Sequence, residues 1–245
     1  MRRVILSVLF LASLTEAQQA TNLFSREKES ALGAELSSQA RSQYTFVRAA
    51  GVDQTNVDQY VDRVGRRLIA ALPEGSVVYK FAVVQDRLGG STNEPVALPG
   101  GSIFIPANLI LESRSESELA GIVAHAIAHV AARHATRLAT RAGLEHLEFL
   151  PAMYLNLGLL ENGDSRLREL QRSFEVEADH LAVAMMAAVG YDPTAFAAYI
   201  ARQQQDGEAN PLPAREERIL AIQRGIQQVP QNDLGRIQEE LRKAQ

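Results

Sequence analysis

The 245-residue chain is 46% hydrophobic and 22% charged, carries a formal charge of −4 at neutral pH and contains no cysteine. That composition belongs to a globular chain long enough to bury a sizeable core, and its acidic balance gives no electrostatic support for a nucleic-acid partner. Without thiols there is no disulfide, no Cys-ligated zinc or iron–sulfur site and no Cys nucleophile or lipid anchor, so a metal has to be held by His and carboxylates.

Met1-Arg2-Arg3, an apolar run from Val4 to Leu14 and the small residues of Thr15-Glu16-Ala17 read as a secretory signal peptide over residues 1–17. The run is too short for a membrane span, and no later stretch approaches one. The expectation is a mature chain, 18–245, that is secreted or periplasmic, forms a single domain and has no transmembrane segment. With 36 alanines and few aromatics this chain leans towards helix. Ser25 can cap a helix running to about Val47. Val57, Tyr60, Val61, Val64, Leu68 and Leu72 write a second helix, stopped by Pro73. Val77 to Val84 reads as a strand and Arg87 to Asn93 as a loop. Val96-Ala97-Leu98, Pro99-Gly100-Gly101 and Ser102 to Ile105 read as strand, turn, strand. Ser115-x-x-Glu118 is a capping box opening a long helix to about Arg141. Leu144 to Leu160 reads as helical, and Ser165 to Val189 as another long helix closed by Gly190. Asp192-Pro193 starts the next helix. Asp206 to Ala214 is a loop, followed by helices over Arg215–Gln228 and Asn232–Lys243. The class is α+β, mainly α, with a small sheet.

Of five histidines, His125 and His129 stand four apart in a stretch otherwise made of Ile, Val and Ala. On a helix they share a face and can reach one ion. Buried imidazoles need partners, which a hydrogen-bonded core pair would also supply. Glu175 and Asp179 are likewise four apart on one face of a later helix, with Glu177 turned elsewhere. Two His and a Glu make a three-ligand site with an open fourth position, and Asp179 is placed to accept the outer N–H of a ligand His. An ion pair to Arg172 is the alternative use of these carboxylates. His134 reads as structural, and His146 and His180 as surface residues.

Leu119 to His134, with its His125-x-x-x-His129 core, resembles the ligand helix of the HtpX and CAAX-prenyl-protease-like zinc metallopeptidases (peptidase family M48). Glu175-x-x-Ala178-Asp179 resembles the third-ligand motif of that family, and Gly190-Tyr191-Asp192-Pro193 is typical of the segment after that motif. Leu98-Pro99-Gly100-Gly101-Ser102-Ile103 resembles its edge strand above the site. The resemblance covers about residues 25–225. It implies a gluzincin-like fold, one zinc ion on His125, His129 and Glu175, and a peptide or unfolded protein segment bound by strand addition.

Two positions depart from the pattern. In H-E-x-x-H the Glu is general base and proton carrier; here the position is Ala126. The family resemblance also implies a His-Pro opening the segment that ends in Arg, the His helping to stabilise the oxyanion; Leu212 stands in its place, while Arg218 matches the Arg. The segment Glu94-Pro95-Val96 differs as well, and Glu94 is the one carboxylate near the edge strand that could approach a bound water. The leading expectation is therefore a zinc-binding protein of metallopeptidase fold with proteolysis lost or strongly reduced. The alternatives are an active zinc endopeptidase of envelope proteins using an atypical base, and a metal-free helical structural or peptide-binding module.

Overall fold

The computed structural model describes residues 22–47, 57–73, 77–86, 94–142, 165–204 and 212–229. The expected signal peptide, the expected loop over Arg87–Asn93, the expected helix over Leu144–Leu160 with His146, most of the 206–214 segment and the expected last helix lie outside them. Helix α1 (Arg26–Gln43) begins as expected at Ser25, whose side chain accepts from the Lys28 N–H. It ends earlier than its Ala-rich sequence suggests, because Tyr44–Phe46 leave as strand β1. Tyr44 and Phe46 both pack their rings against Phe104, a tertiary contact that outweighs helix propensity.

Helix α2 (Val57–Ile69) turns Val61, Val64 and Leu68 inward. Strand β2 (Lys80–Asp86) starts three residues later than Val77. Its partner explains the shift: β4 (Ser102–Pro106) runs parallel to it with Lys80 opposite Ser102, so no ladder exists before Lys80. Strand β3 (Val96–Ala97) pairs antiparallel with β4, and the sheet order is β1-β2-β4-β3. This corrects the expected edge. Ser102 and Ile103 lie on an inner strand with a neighbour on each side, and the outer strand is β3. Leu98, Pro99, Gly100 and Gly101 form the connecting turn, a short 3-10 segment seated on α1. Gly100 has φ 75°, and a Cβ there would stand 2.8 Å from Ser30 Cα. Period-two alternation splits β4 between two apolar clusters: Ile103 and Ile105 face the main core, Phe104 the smaller cluster under α1.

Helix α3 (Ala107–Glu112), unforeseen in the sequence, leads to α4 (Glu116–Ala131). Ser115 caps α4 by accepting from Glu118 N–H, while Glu118 turns back to Arg114 N–H and pairs with Arg202. The long helix expected to Arg141 is broken. Arg133 has φ 59°, and α5 (His134–Arg141) starts in a new direction. Arg133 is held there by its guanidinium donating to Glu29 Oε1 at 2.8 Å and to the Phe24 carbonyl. Helices α6 (Ser165–Ala188), α7 (Pro193–Gln203) and α8 (Arg215–Gln228) complete the fold, with Asp192 capping α7 and Gly190 at φ 80° closing α6. The helices α4, α6, α7 and α8 enclose the main core.

Helix α4 approaches α7 closely at Gly121, where a Cβ would stand 2.6 Å from Phe196 Cβ and ring carbons. Gly121→Ala is therefore expected to destabilise the protein by about 1–3 kcal/mol through overpacking. Chemical denaturation measures it, and an unchanged midpoint would refute the close approach.

Candidate metal centre

Helix α4 is buried almost all round because its faces meet the sheet, α6 and α7. His125 and His129, one turn apart on it, both point at α6. There the same one-turn spacing brings Glu175 and Asp179 inward. His129 Nε2 is 2.9 Å from His125 Nε2, and Glu175 Oε2 lies 3.2 Å from the His125 imidazole and 3.4 Å from that of His129. Ligands on a tetrahedral ion with bonds of about 2.0–2.1 Å stand about 3.3–3.4 Å apart, so the triangle fits zinc. Among the described residues these three are the group of donors close enough together to share an ion.

The outer nitrogens strengthen the fit. His125 Nδ1 is 2.9 Å from Asp179 Oδ1, and His129 Nδ1 is 3.0 Å from His134 Nδ1. With the protons on these outer nitrogens, two Nε2 lone pairs and a carboxylate oxygen converge on one buried point. That arrangement is repulsive unless a cation sits between them. Without a metal a proton takes that role. Burial works against a charged imidazole at His125, but hydrogen bonds to Asp179 and Glu175 outweigh it and lift the group to about 10. Burial likewise opposes the Glu175 charge, and His129 and His125 overcome it and hold the carboxyl well below its usual range.

Arg218 on α8 is fully buried. Its Nε and Nη2 donate to the two Asp179 oxygens at 2.8 Å each, and its Nη1 donates to Glu94 at 2.8 Å and to Gln204 at 3.1 Å. Burial of the Asp179 carboxylate is opposed by this guanidinium, which keeps it ionised. Gln204 in turn donates to the Pro213 carbonyl, tying the segment that carries half-buried Leu212 to the same network. Ala126 is buried beside His125 and brings no proton-carrying group. Glu177 faces away from the ligand triangle, as its spacing requires, and is paired with Arg137.

Two residues reach the site from off the two ligand faces, and one of them, Glu94, is the carboxylate expected near the edge strand. Glu94 Oε2 stands 3.9 Å from His125 Nε2, with a third of its side chain exposed. His134 is buried against His129 because the chain turns at Arg133. Burial pushes His134 down to about 4, so it is neutral at physiological pH. A cavity of about 10 Å³ lies between the β3 turn and the ligand helix, lined by Ala97, Leu98, Pro99 and His129 among others.

A small mixed sheet, a buried helix with two His one turn apart and a carboxylate from a second helix define the class of zinc metallopeptidase domains. The family model of peptidase family M48 matches residues 55–226, and the chain belongs to this family. Peptidases of this family are zinc-dependent. The chain is 28% identical over 161 residues to a putative beta-barrel assembly-enhancing protease of Vibrio cholerae serotype O1, a match covering 60% of this chain and 32% of that protein. It is 32% identical over 144 residues to the mitochondrial metalloendopeptidase OMA1 of Schizosaccharomyces pombe, covering 56% of this chain and 41% of that one. The chain thus spans well under half the length of these relatives. No helix among the described residues is long and apolar enough to cross a membrane.

Proposed function

We propose that this chain is a zinc-binding M48 protein in which proteolysis is lost or strongly reduced, and that it engages peptide or unfolded protein segments by strand addition along β3. One observation carries the reading: the His125–His129–Glu175 triangle is complete, while the adjoining position for a general base is a buried alanine. His125, His129 and Glu175 would hold the ion, which when bound acidifies water and polarises a carbonyl. Asp179, itself fixed by Arg218, orients the His125 ring. Ala126 moves no proton, and the Leu212 side chain offers no hydrogen bond to a developing oxyanion. The outer position of β3 in the sheet supports a peptide adding to it as a further strand. The N-terminal basic and apolar segment supports export to the periplasm or beyond.

A second reading, slow hydrolysis with an atypical base, is favoured by Glu94. Its carboxylate stands where it can take a proton from a water held near His125.

The test is metal analysis of the purified protein together with chelator-dependent melting. The expected result is one zinc per chain and a thermal midpoint lowered on chelation, since an ion bound only by the folded state stabilises it. Absence of zinc uptake, with melting indifferent to chelator, would overturn the proposal and leave the histidines as a hydrogen-bonded core cluster.

A further inference from the structure

We infer that His134 and Glu177 are positioning residues: they hold the His129 ring through a relay that ends on a carboxylate, as Asp179 holds His125 directly. The inference rests on the reading of His125, His129 and Glu175 as zinc ligands. His129 turns Nε2 towards the other two donors, 2.9 Å from His125 and 3.4 Å from Glu175. A nitrogen that donates its lone pair to a metal leaves the ring proton on Nδ1. That Nδ1 lies 3.0 Å from His134 Nδ1. Two ring nitrogens share a hydrogen bond only if one of them is bare, so His134 accepts at Nδ1 and carries its own proton on Nε2. His134 Nε2 lies 3.3 Å from Glu177 Oε2. Glu177 is steadied from the far side by Arg137, whose Nη1 donates to both of its oxygens at 3.2 and 3.3 Å. The first link fixes the tautomer of His129; the second is an electrostatic contact, in which the nearby carboxylate favours the proton on His134 Nε2 without an aligned hydrogen bond.

Packing fixes the ring planes. His134 lies flat on Phe174, with centroids 4.5 Å apart and planes 4° apart, and the Arg137 guanidinium also covers Phe174 at 4.4 Å. A buried histidine needing only a hydrogen-bond partner could take any neighbouring backbone group. This one instead spans the gap between a ligand ring and a carboxylate. The two ligand rings are therefore supported alike, one directly and one through an interposed imidazole. The carboxylates involved, Glu175, Glu177 and Asp179, come from a single five-residue stretch of α6. Residue 177 lies off the ligand face of that helix. It joins the site only because the chain turns at Arg133 and lays α5 alongside.

The experiment is zinc titration against a competing chromophoric chelator on the full chain, with histidine ¹⁵N spectra of the zinc-loaded protein. His134→Phe keeps the flat ring on Phe174 and removes both nitrogens. The expected result is zinc affinity roughly 10–100-fold weaker than wild type, with metal-free melting little changed. Glu177→Ala is expected to weaken zinc in the same direction, and Glu177→Gln to recover part of the loss, because its amide oxygen still turns a negative dipole end towards His134 Nε2–H. The ¹⁵N spectra should show His129 protonated at Nδ1. If His134→Phe does not fold, the Glu177 pair carries the test, since that side chain is partly exposed. Unchanged zinc affinity in these variants, with wild type binding zinc, would overturn the relay alone. A wild-type chain that takes up no zinc would overturn both the relay and the function proposed above.

Discussion

Replacing Ala126 with Glu is expected to raise peptide hydrolysis by the zinc-loaded protein roughly 10²–10⁴-fold, the usual contribution of a positioned general base. The ligand triangle and its outer support are already assembled, so the substitution adds the one missing proton carrier rather than rebuilding a site. The new side chain has to enter packed surroundings, because Ala126 is 1% exposed. Zinc content and melting are therefore followed in the same samples, so that a loss of fold is not mistaken for a loss of chemistry. Leu212→His in the same chain should add a further increase by restoring a donor on the segment tied to Gln204. A double variant that binds zinc, melts normally and still cleaves nothing would show that more than the base is missing. The same assay separates the two functional readings. If wild type cleaves slowly and Glu94→Gln abolishes that remnant of activity without changing zinc content, the loop carboxylate is the base. If wild type cleaves nothing and Ala126→Glu does, the absent base is the cause.

The second large effect is on stability. Arg218→Ala is expected to cost about 3–5 kcal/mol, because it strands a fully buried carboxylate. Arg218 and Asp179 are both 0% exposed, and the guanidinium makes two 2.8 Å hydrogen bonds to that carboxylate besides holding Glu94 and Gln204. For a chain of this size such a loss lowers the melting temperature by roughly 10 °C. Arg218→Lys should recover only part of it, since one ammonium cannot reproduce a forked pair of hydrogen bonds. Asp179→Asn with Arg218→Ala should be less harmful than Arg218→Ala alone, because no buried charge is then left without a partner. A single-variant loss under about 1 kcal/mol would contradict the burial of this pair.

The metal donors were readable because helices repeat. Four-residue spacing puts His125 with His129, and Glu175 with Asp179, whatever the rest of the fold does. The caps at Ser25, Ser115 and Asp192 were readable for a similar local reason. The features that stayed hidden depend on contacts across the chain. Nothing near Arg133 announces a left-handed residue in an Ala- and Arg-rich stretch; Glu29 and Phe24, more than a hundred residues earlier, hold it there. His134, read from the sequence only as structural, is consequently brought against the ligand ring of His129. Leu98 to Ile103 was read as an edge because the order of strands in a sheet is not written in any one of them. Glu94, by contrast, was singled out by its place before the edge strand, and what holds it there is Arg218, 124 residues further on.

That last span bears on how the chain is made. The ligand pair, the third donor and the guanidinium that steadies them emerge in the order α4, α6, α8. Residues 125 and 179 are made before residue 218, so the Asp179 carboxylate gains the guanidinium that neutralises it only from the later part of the chain. The interior can close over that carboxylate only when α8 arrives and docks on α6. A chain shortened before α8 would keep its histidines and Glu175 yet lack the guanidinium behind them.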